Sequence, residues 1–258
     1  MLAPNADQQA AQIRRLEVRA RELEKAGDIT AALKVRKEAV AAWRALVSQE
    51  PRFISELARY LSNLSVTMTR LGLHAEAYTA ADDSVRFWRA AADEDLARHG
   101  FDLSQALMRF APLAGKFYSQ RAFMTARIEA TDLLIRLASV DPARCELLAA
   151  RTCLMIAEGG SFDKPEKALH YAQTAVELWR QLAEKDLIEH GSQLIRALNQ
   201  LSIEQIDAGG SFGKAPLSEA RWVKLARLIL RIKLAVRLRR FWSVSSSLHG
   251  QRRKARAA

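Results

Sequence analysis

The chain has 258 residues, of which 49% are hydrophobic, and a formal net charge of +11. This composition supplies enough apolar residues for a continuous core. No apolar run reaches the length of about 18 residues that a membrane-spanning helix needs, and the first residues show no secretory signal. We therefore expect a cytoplasmic protein that neither spans a membrane nor is secreted.

The excess of positive charge lies at one end of the sequence. Residues 220–258 contain 12 of the 40 lysines and arginines and none of the 29 acidic residues. The acidic residues therefore nearly balance the basic residues that precede position 220. Any contact with nucleic acid or an anionic surface is expected to involve this end of the chain.

The two cysteines, Cys145 and Cys153, lie eight positions apart in one predicted helix. Two helical turns separate them by about 12 Å, which is too far for a disulfide while the helix holds. We interpret them as buried packing residues in a reduced compartment.

A pattern with a double period runs through most of the sequence. Gly27, Trp43 and Arg44 lie 45 positions before Gly72, Trp88 and Arg89, and Trp179 and Arg180 lie 91 positions after the second Trp-Arg pair. One divergent copy, over residues 122–137, fits between them. The stretch 95–100 likewise returns 91 positions later as 186–191. Such self-similarity indicates a solenoid of about five helix pairs.

The predicted elements are helices, because helix-forming residues dominate and no segment alternates at period two. Residues 1–10 are expected to be flexible. In chain order, the predicted helices span 11–26, 29–48, 51–70, 75–92, 102–117, 119–139, 142–158, 165–184 and 187–208. The segments 159–162 and 209–212 both read Gly-Gly-Ser-Phe and are interpreted as widened turns. The His-Gly pairs at 99–100 and 190–191 are expected in equivalent helix-capping loops.

The residues of one unit resemble a tetratricopeptide repeat of the longer bacterial variety, with about 45 residues per unit. The resemblance is carried by Leu61-Ser62-Asn63-Leu64-Ser65, Leu71-Gly72, Glu76-Ala77 and Asp83-Ser84-Val85. It implies an all-α, right-handed superhelical solenoid of antiparallel helix pairs over residues 11–212, followed by a basic C-terminal helix and tail over 213–258. In the divergent unit, Pro112 is expected to interrupt the first helix, and Thr131 replaces a valine.

The resemblance also implies a binding groove. In this family the first helices of the pairs line a concave surface that holds a peptide backbone or a terminal carboxylate. The positions that match are Arg59, Asn63, Gln105, Arg109, Arg196 and Gln200, which would form a ladder of hydrogen-bond donors. The alternative is that these residues are solvated faces of amphipathic helices.

The basic end of the chain predicts a cationic amphipathic helix. On a helical wheel, Arg221, Lys224, Arg227 and Arg231 share one side, and Trp222, Leu225, Ile229 and Ile232 share the other. One interpretation is a capping helix that covers the last repeat with its apolar side. The others are adsorption to an anionic membrane, nucleic-acid binding through Arg252, Arg253 and Lys254, and an altered end of the array without a function of its own.

No catalytic motif is present. The five histidines have no cysteine or carboxylate at metal-ligand spacing, and neither a nucleophile elbow nor a Cys-x-x-Cys occurs. We therefore expect a non-catalytic scaffold or adaptor for a partner protein or peptide, with no metal, cofactor or small-molecule substrate. The alternative function is binding of nucleic acid or an anionic membrane surface through the basic tail.

Overall fold

The computed structural model describes residues 5–159, 165–207, 216–228 and 230, and in these ranges it is helical with no strand. The helices are α1 (Ala6–Lys25), α2 (Ile29–Gln49), α3 (Ile54–Arg70), α4 (His74–Glu94), α5 (Leu96–Phe117), α6 (Gln120–Ala138), α7 (Pro142–Gly159), α8 (Pro165–Lys185) and α9 (Leu187–Asp207). A 3₁₀ turn, Pro51–Phe53, precedes α3. Residues 216–228 form a further helix, α10. The predicted all-α fold is confirmed.

The chain divides into two compact units, Met1–Leu148 and Ala149–Ala258, with the boundary inside α7. In the first unit each helix from α1 to α5 packs against the next one in sequence, and in the second unit α8 packs against α9. Consecutive helices are joined by short connections, so neighbours run antiparallel. Each unit is thus built from the predicted helix pairs.

Two glycines end the first helix of successive pairs in the same way. Gly27 and Gly72 have φ angles of +87° and +75°, in the left-handed region that favours glycine. In both turns the N–H of the next residue donates to the carbonyl five residues earlier, at 2.9 Å. These are Schellman-type helix ends, and their spacing of 45 residues matches the predicted period.

The first helix begins earlier than the sequence predicted. Asn5 accepts the backbone N–H of Gln8 at 2.8 Å, and the Gln8 side chain accepts the N–H of Asn5 at 3.3 Å. This reciprocal capping box starts α1 at Ala6. The helix therefore begins five residues before the predicted start at residue 11, and residues 1–4 lie outside the described part of the chain.

The start of α5 was also predicted too late. The carboxylate of Asp95 accepts the N–H of Arg98 at 3.0 Å, and Asp186 accepts the N–H of Glu189 at 2.9 Å. Both aspartates act as helix N-caps, so α5 and α9 begin directly after them. The His-Gly pairs at 99–100 and 190–191 therefore lie in the first turns of helices, and their assignment to loops was wrong.

Gly100 allows two helices to approach closely. A Cβ atom at this position would lie 2.9 Å from Cδ1 of Leu96 and 3.1 Å from Cδ1 of Leu137 in α6. At Gly191, the equivalent position in α9, a Cβ atom would lie 3.2 Å from Cδ of Arg227 in α10. The glycines of the repeated stretch thus make room for the following second helix.

The divergent third pair keeps an uninterrupted first helix. Pro112 lies inside α5, which continues to Phe117, so the predicted interruption is wrong. Pro112 is exposed, and the buried neighbours Ala111 and Leu113 hold the helix against the core on either side of it. Thr131, in the place of the valine, is buried, and its hydroxyl donates to the carbonyl of Arg127 at 2.9 Å.

Three tryptophans anchor the cores of the units. Trp43, Trp88 and Trp179 are all buried. Each packs against an aromatic ring at the start of the following first helix, with centroid distances of 5.7, 5.9 and 6.0 Å to Phe53, His99 and His190. The repeated tryptophan therefore joins each pair to the next first helix, which is the interaction that a solenoid requires.

The two cysteines are buried thiols, as predicted, and neither forms a disulfide. Burial raises the pKa of the Cys145 thiol above its ordinary value. A thiol of this kind is protonated at neutral pH and reacts slowly.

Candidate functional site

Two of the predicted donor residues of the first unit form hydrogen bonds between successive first helices. The side-chain amide of Asn63 in α3 donates to Glu17 of α1 at 3.1 Å. The guanidinium of Arg109 in α5 donates to the hydroxyl of Ser62 in α3 at 2.8 Å. Both donors are therefore engaged within the chain. Their role in binding a ligand stays a prediction.

The second unit repeats this arrangement. Arg196 of α9 forms a two-point ion pair with Glu158 of α7. The side-chain amide of Gln200 donates to the carbonyl of Ala157 at 3.3 Å and to Glu204 at 2.5 Å. Burial raises the pKa of the Glu204 carboxyl. These contacts again use the predicted groove residues to join first helices.

A buried ionic cluster in the first unit was not predicted. Arg36 of α2 donates to Glu17 at 3.3 Å and to Glu24 at 2.6 Å, and it also contacts the buried hydroxyl of Thr67 in α3. The Arg36 and Glu17 side chains are each only 6% exposed. The cluster thus joins α1, α2 and α3 through one guanidinium.

Electrostatics explains why these charges are tolerated. Burial alone would raise the pKa of Glu24, but the hydrogen bond and positive charge of Arg36 outweigh it, so this pKa lies below its ordinary value. For Arg36, burial is outweighed by the hydrogen bond to Glu24, and the guanidinium pKa is raised. Glu24 and Arg36 therefore keep their charges at neutral pH. We interpret the cluster as structural.

The arginine of the repeated Trp-Arg pair clamps successive second helices. Arg89 of α4 donates to Glu129 of α6 at 2.9 and 2.6 Å, and Arg180 of α8 donates to Glu219 of α10 at 2.7 and 2.5 Å. Arg44 of α2 pairs in the same way with Asp83 of α4. About half of each arginine side chain is exposed, so these pairs orient the helices more than they stabilise them.

A small pocket of about 190 Å³ opens between α3, the end of α4 and the start of α5. It is lined by Ser55, Glu56, Arg59, Trp88, Arg98, His99 and Asp102. Arg59, one of the predicted groove residues, is therefore placed beside a second arginine and an aromatic wall. Sequence reasoning missed Arg98 because it assigned that residue to a loop.

The acidic residues of this pocket already have partners. Glu56 binds Arg14 of α1 at 3.0 Å and also pairs with Arg59 on its own helix. Asp102 pairs with Arg144 of α7 at 3.6 Å. By contrast, the exposed guanidinium of Arg98 has no ion pair or hydrogen bond with any described residue. The pocket therefore presents an uncompensated positive charge.

A larger cavity of about 730 Å³ lies between α4, α5 and α6. Leu96, Leu103 and Leu133 are among its apolar lining residues, and the Arg89–Glu129 pair lies on its edge. The hydroxyl of Thr125, which also lines the cavity, donates to the carbonyl of Arg121 in its own helix at 2.9 Å. Among the described residues, no group of three or more His, Cys, Asp or Glu side chains could hold a metal ion.

The last described helix, α10, packs with the face opposite to the one that the capping interpretation predicted. Its packed face contains the buried residues Pro216 and Ala220, and the guanidinium of Arg227 donates to the carbonyl of Ile188 at 2.9 Å. Trp222, predicted to lie against the last repeat, is instead 69% exposed. Leu225 is 46% exposed. The expected apolar packing side of α10 is therefore its outer side.

The remaining predicted tail residues divide into two sets. Arg221 and Lys224 are exposed on α10, as expected for a basic surface. Arg231, Ile232, Arg252, Arg253 and Lys254 lie outside the described residues, as does the side chain of Ile229. Within the described ranges, none of the helices combines the length and apolar character needed to cross a bilayer.

Comparison with known proteins identifies the fold. No family model and no curated protein matches the chain. Among solved structures, BtubC (BKLC) from P. vanneervenii aligns with a TM-score of 0.54 at 18% identity, over 86% of this chain and 83% of that one. The designed helical repeat protein DHR64 aligns with a TM-score of 0.25 at 15% identity, over 88% of this chain and 99% of that one. The DHF58 filament aligns with a TM-score of 0.26 at 18% identity, over 87% of this chain and 98% of that one. The likeness to BtubC and the sequential packing of the helices agree with the helical repeat fold described above.

Proposed function

We propose that the chain is a tetratricopeptide-like, non-catalytic scaffold or adaptor of the cytoplasm. Its ligand is an acidic segment of a partner protein. The segment binds along the first helices of unit 1, with one carboxylate in the pocket between Arg59 and Arg98. The observation that carries this proposal is the unpartnered guanidinium of Arg98 inside a concave site.

The charge arrangement favours a carboxylate ligand. Glu56 is held by two arginines, so Arg59 can turn toward a ligand while Arg14 still neutralises Glu56. Arg98 then supplies the second donor. Two planar guanidinium groups suit the two oxygens of a carboxylate.

The neighbouring surface of α5 suits an extended peptide. Arg98, Asp102, Gln105 and Arg109 follow one another at spacings of four, three and four residues, so they share one face of the helix. Gln105 has an amide group that can both donate to and accept from a peptide backbone. A volume of about 190 Å³ fits an acidic side chain or a chain terminus, and the remaining affinity must come from this face.

A peptide selection tests the proposal. Random dodecapeptides would be selected on the full chain, and their affinities measured by fluorescence anisotropy. We expect an enrichment of acidic residues or free C-termini. Because a charged hydrogen bond contributes about 1.5–3 kcal/mol, Arg98→Ala should weaken binding by at least roughly tenfold.

The matched control is Arg19→Ala, which removes an exposed arginine from α1, away from the pocket. It should leave the affinity unchanged within about twofold, since isolated surface charges contribute little. Selected peptides without acidic groups, or equal affinity for the Arg59→Ala/Arg98→Ala double variant, would refute the proposed site.

A further inference from the structure

The outer face of α10 combines exposed apolar and basic side chains. Trp222, Leu225 and Leu228 are 69%, 46% and 54% exposed. On the helical wheel they span about 120° opposite the packed residues. Arg221 and Lys224, also exposed, lie within or beside this arc. This surface is defined here as the α10 outer face.

We infer that the α10 outer face adsorbs to an anionic lipid surface. This inference is independent of the peptide site in unit 1, because none of its residues takes part in that pocket. It rests on the orientation of the helix, on the kind of side chains exposed and on the distribution of charge.

The orientation exposes the apolar side chains of α10, the last helix that the structure describes. A helix whose outer side faces water in a soluble solenoid is expected to be polar on that side. Here the helix is fixed by Pro216 and Ala220 and by the hydrogen bond of Arg227, which are all on the inner side. Exposed tryptophan and leucine on the outer side therefore indicate a surface that contacts something else.

The charge distribution points to an anionic surface. The only acidic residue of residues 216–230, Glu219, is paired with Arg180. From residue 220 onward the sequence contains no aspartate or glutamate. Arg221 and Lys224 can therefore meet lipid phosphates without competition from a carboxylate farther along their own helix. Each cation close to an anionic bilayer adds to the affinity, and the effect falls off within about 10 Å at moderate salt.

The side chains suit the interfacial region of a bilayer. Tryptophan prefers the boundary between headgroups and acyl chains, where its ring is in an apolar region and its N–H can be hydrated. Leu225 and Leu228 can enter the same layer while Arg221 and Lys224 remain among the headgroups. A helix held by one side against its domain would lie flat in the interface, buried by about 5–10 Å.

Binding of a second copy of the chain to the α10 outer face is less favourable than binding of an anionic lipid surface. The exposed side of α1, the first described helix, carries Arg15, Arg19 and Lys25 beside the carboxylate of Glu22, so it is mainly basic. Stacking of α10 on α1 of another molecule, or on a second α10, would bring cations together in a partly dehydrated contact. Like charges at such a distance repel each other.

The experiment is vesicle flotation of the full chain. Vesicles of phosphatidylcholine alone would be compared with vesicles containing about 30% phosphatidylserine, at 150 mM salt. The expected result is binding that requires phosphatidylserine. Trp222→Gln/Leu225→Gln should weaken it by at least roughly tenfold, and Arg221→Glu/Lys224→Glu by a similar factor. All four positions are exposed, so the variants should fold, which circular dichroism checks.

Matched controls remove similar groups elsewhere. Tyr118→Gln/Met155→Gln removes two exposed apolar side chains, and Arg15→Glu/Arg19→Glu reverses two exposed cations of α1. Both should bind vesicles like the unaltered chain. The inference is overturned if the α10 variants bind equally well, if neutral vesicles bind equally well, or if the chain ignores vesicles and retains RNA or forms dimers through this face.

Discussion

The buried cluster around Arg36 supports a quantitative prediction. Replacing Arg36 by leucine keeps most of the side-chain volume but removes the guanidinium between Glu17 and Glu24, whose side chains are only 6% and 16% exposed. Breaking a buried ion pair by removing one partner costs about 3–5 kcal/mol. The two carboxylates keep weaker partners in Arg21, Asn63 and Arg70, so we expect about 3 kcal/mol.

Hydrogen exchange of the backbone amides of α1 and α2 is a suitable assay, because it reports on the first unit alone. At about 1.4 kcal/mol per tenfold change, the loss corresponds to protection factors lowered roughly 150-fold at pH 7. If the free energy of local opening of α1 is smaller than this loss, the amides of α1 would lose all their protection in Arg36→Leu. The matched control is Arg15→Leu on the exposed side of α1, which should change protection by less than about threefold.

The pH dependence tests the electrostatic explanation. In the unaltered chain the pKa of Glu24 is lowered by Arg36, so its stabilising contribution is present above the unfolded pKa and is lost as the pH falls through the folded pKa. Without Arg36, burial raises the pKa of Glu24, and protonation at lower pH relieves the unpaired charge. The difference in protection between variant and unaltered chain should therefore shrink from pH 7 to pH 5. A difference below about threefold at pH 7, or one that is equal at both pH values, would refute this reasoning.

Three further predictions concern the repeat turns, the helix clamps and a partly buried tyrosine. Gly72→Ala should lower the free energy of unfolding by about 1 kcal/mol, because alanine is strained at a positive φ. Gly100→Ala should lower it by about 1–3 kcal/mol, because the added methyl group overlaps with two leucines. Thermal unfolding measures both losses, and a larger loss for Gly72→Ala would contradict the geometry. A double-mutant cycle on Arg89 and Glu129 should give a coupling of at most about 1 kcal/mol, because both side chains are substantially exposed; a value above about 2 kcal/mol would show a desolvated pair. Burial and a hydrogen bond to its neighbour Tyr118 raise the pKa of Tyr78 to about 12, so Tyr78→Phe should remove a step near pH 12 from the tyrosine absorbance titration. Stability should fall with rising pH above about 10 less steeply in this variant; an unchanged titration would refute the assignment.

The sequence predicted the helix pairs well, for local physical reasons. Glycine at positions 27 and 72 and tryptophan at 43, 88 and 179 impose turn geometry and core packing that repeat with the chain. The starts of α1 and α5 were predicted too late, although Asn5 and Asp95 are residue types that favour N-caps. Both caps could have been recognised from the sequence, because each is followed by a continuous helix-forming stretch.

The functional surfaces were less predictable. The spacing of Glu17 and Glu24 with Ala10, Ile13 and Ala20 places both acids on the buried face of α1, which would have indicated the ionic cluster. Which donors remain available cannot be read from spacing, since Asn63 binds an acid 46 residues away. The orientation of α10 likewise depends on how it packs against α9, and a helical wheel shows two faces without showing which one is inside.

The repeated arginine clamp makes the second pair a module that can be copied. If residues 51–95 were duplicated in tandem, Arg89 of the first copy would stand 39 positions before Asp83 of the second, the same separation as between Arg44 and Asp83. The turn at Gly72 and the tryptophan packing would recur with it. A chain lengthened in this way should keep its helical content per residue by circular dichroism. Addition of such modules could therefore extend a binding surface without redesign of the core.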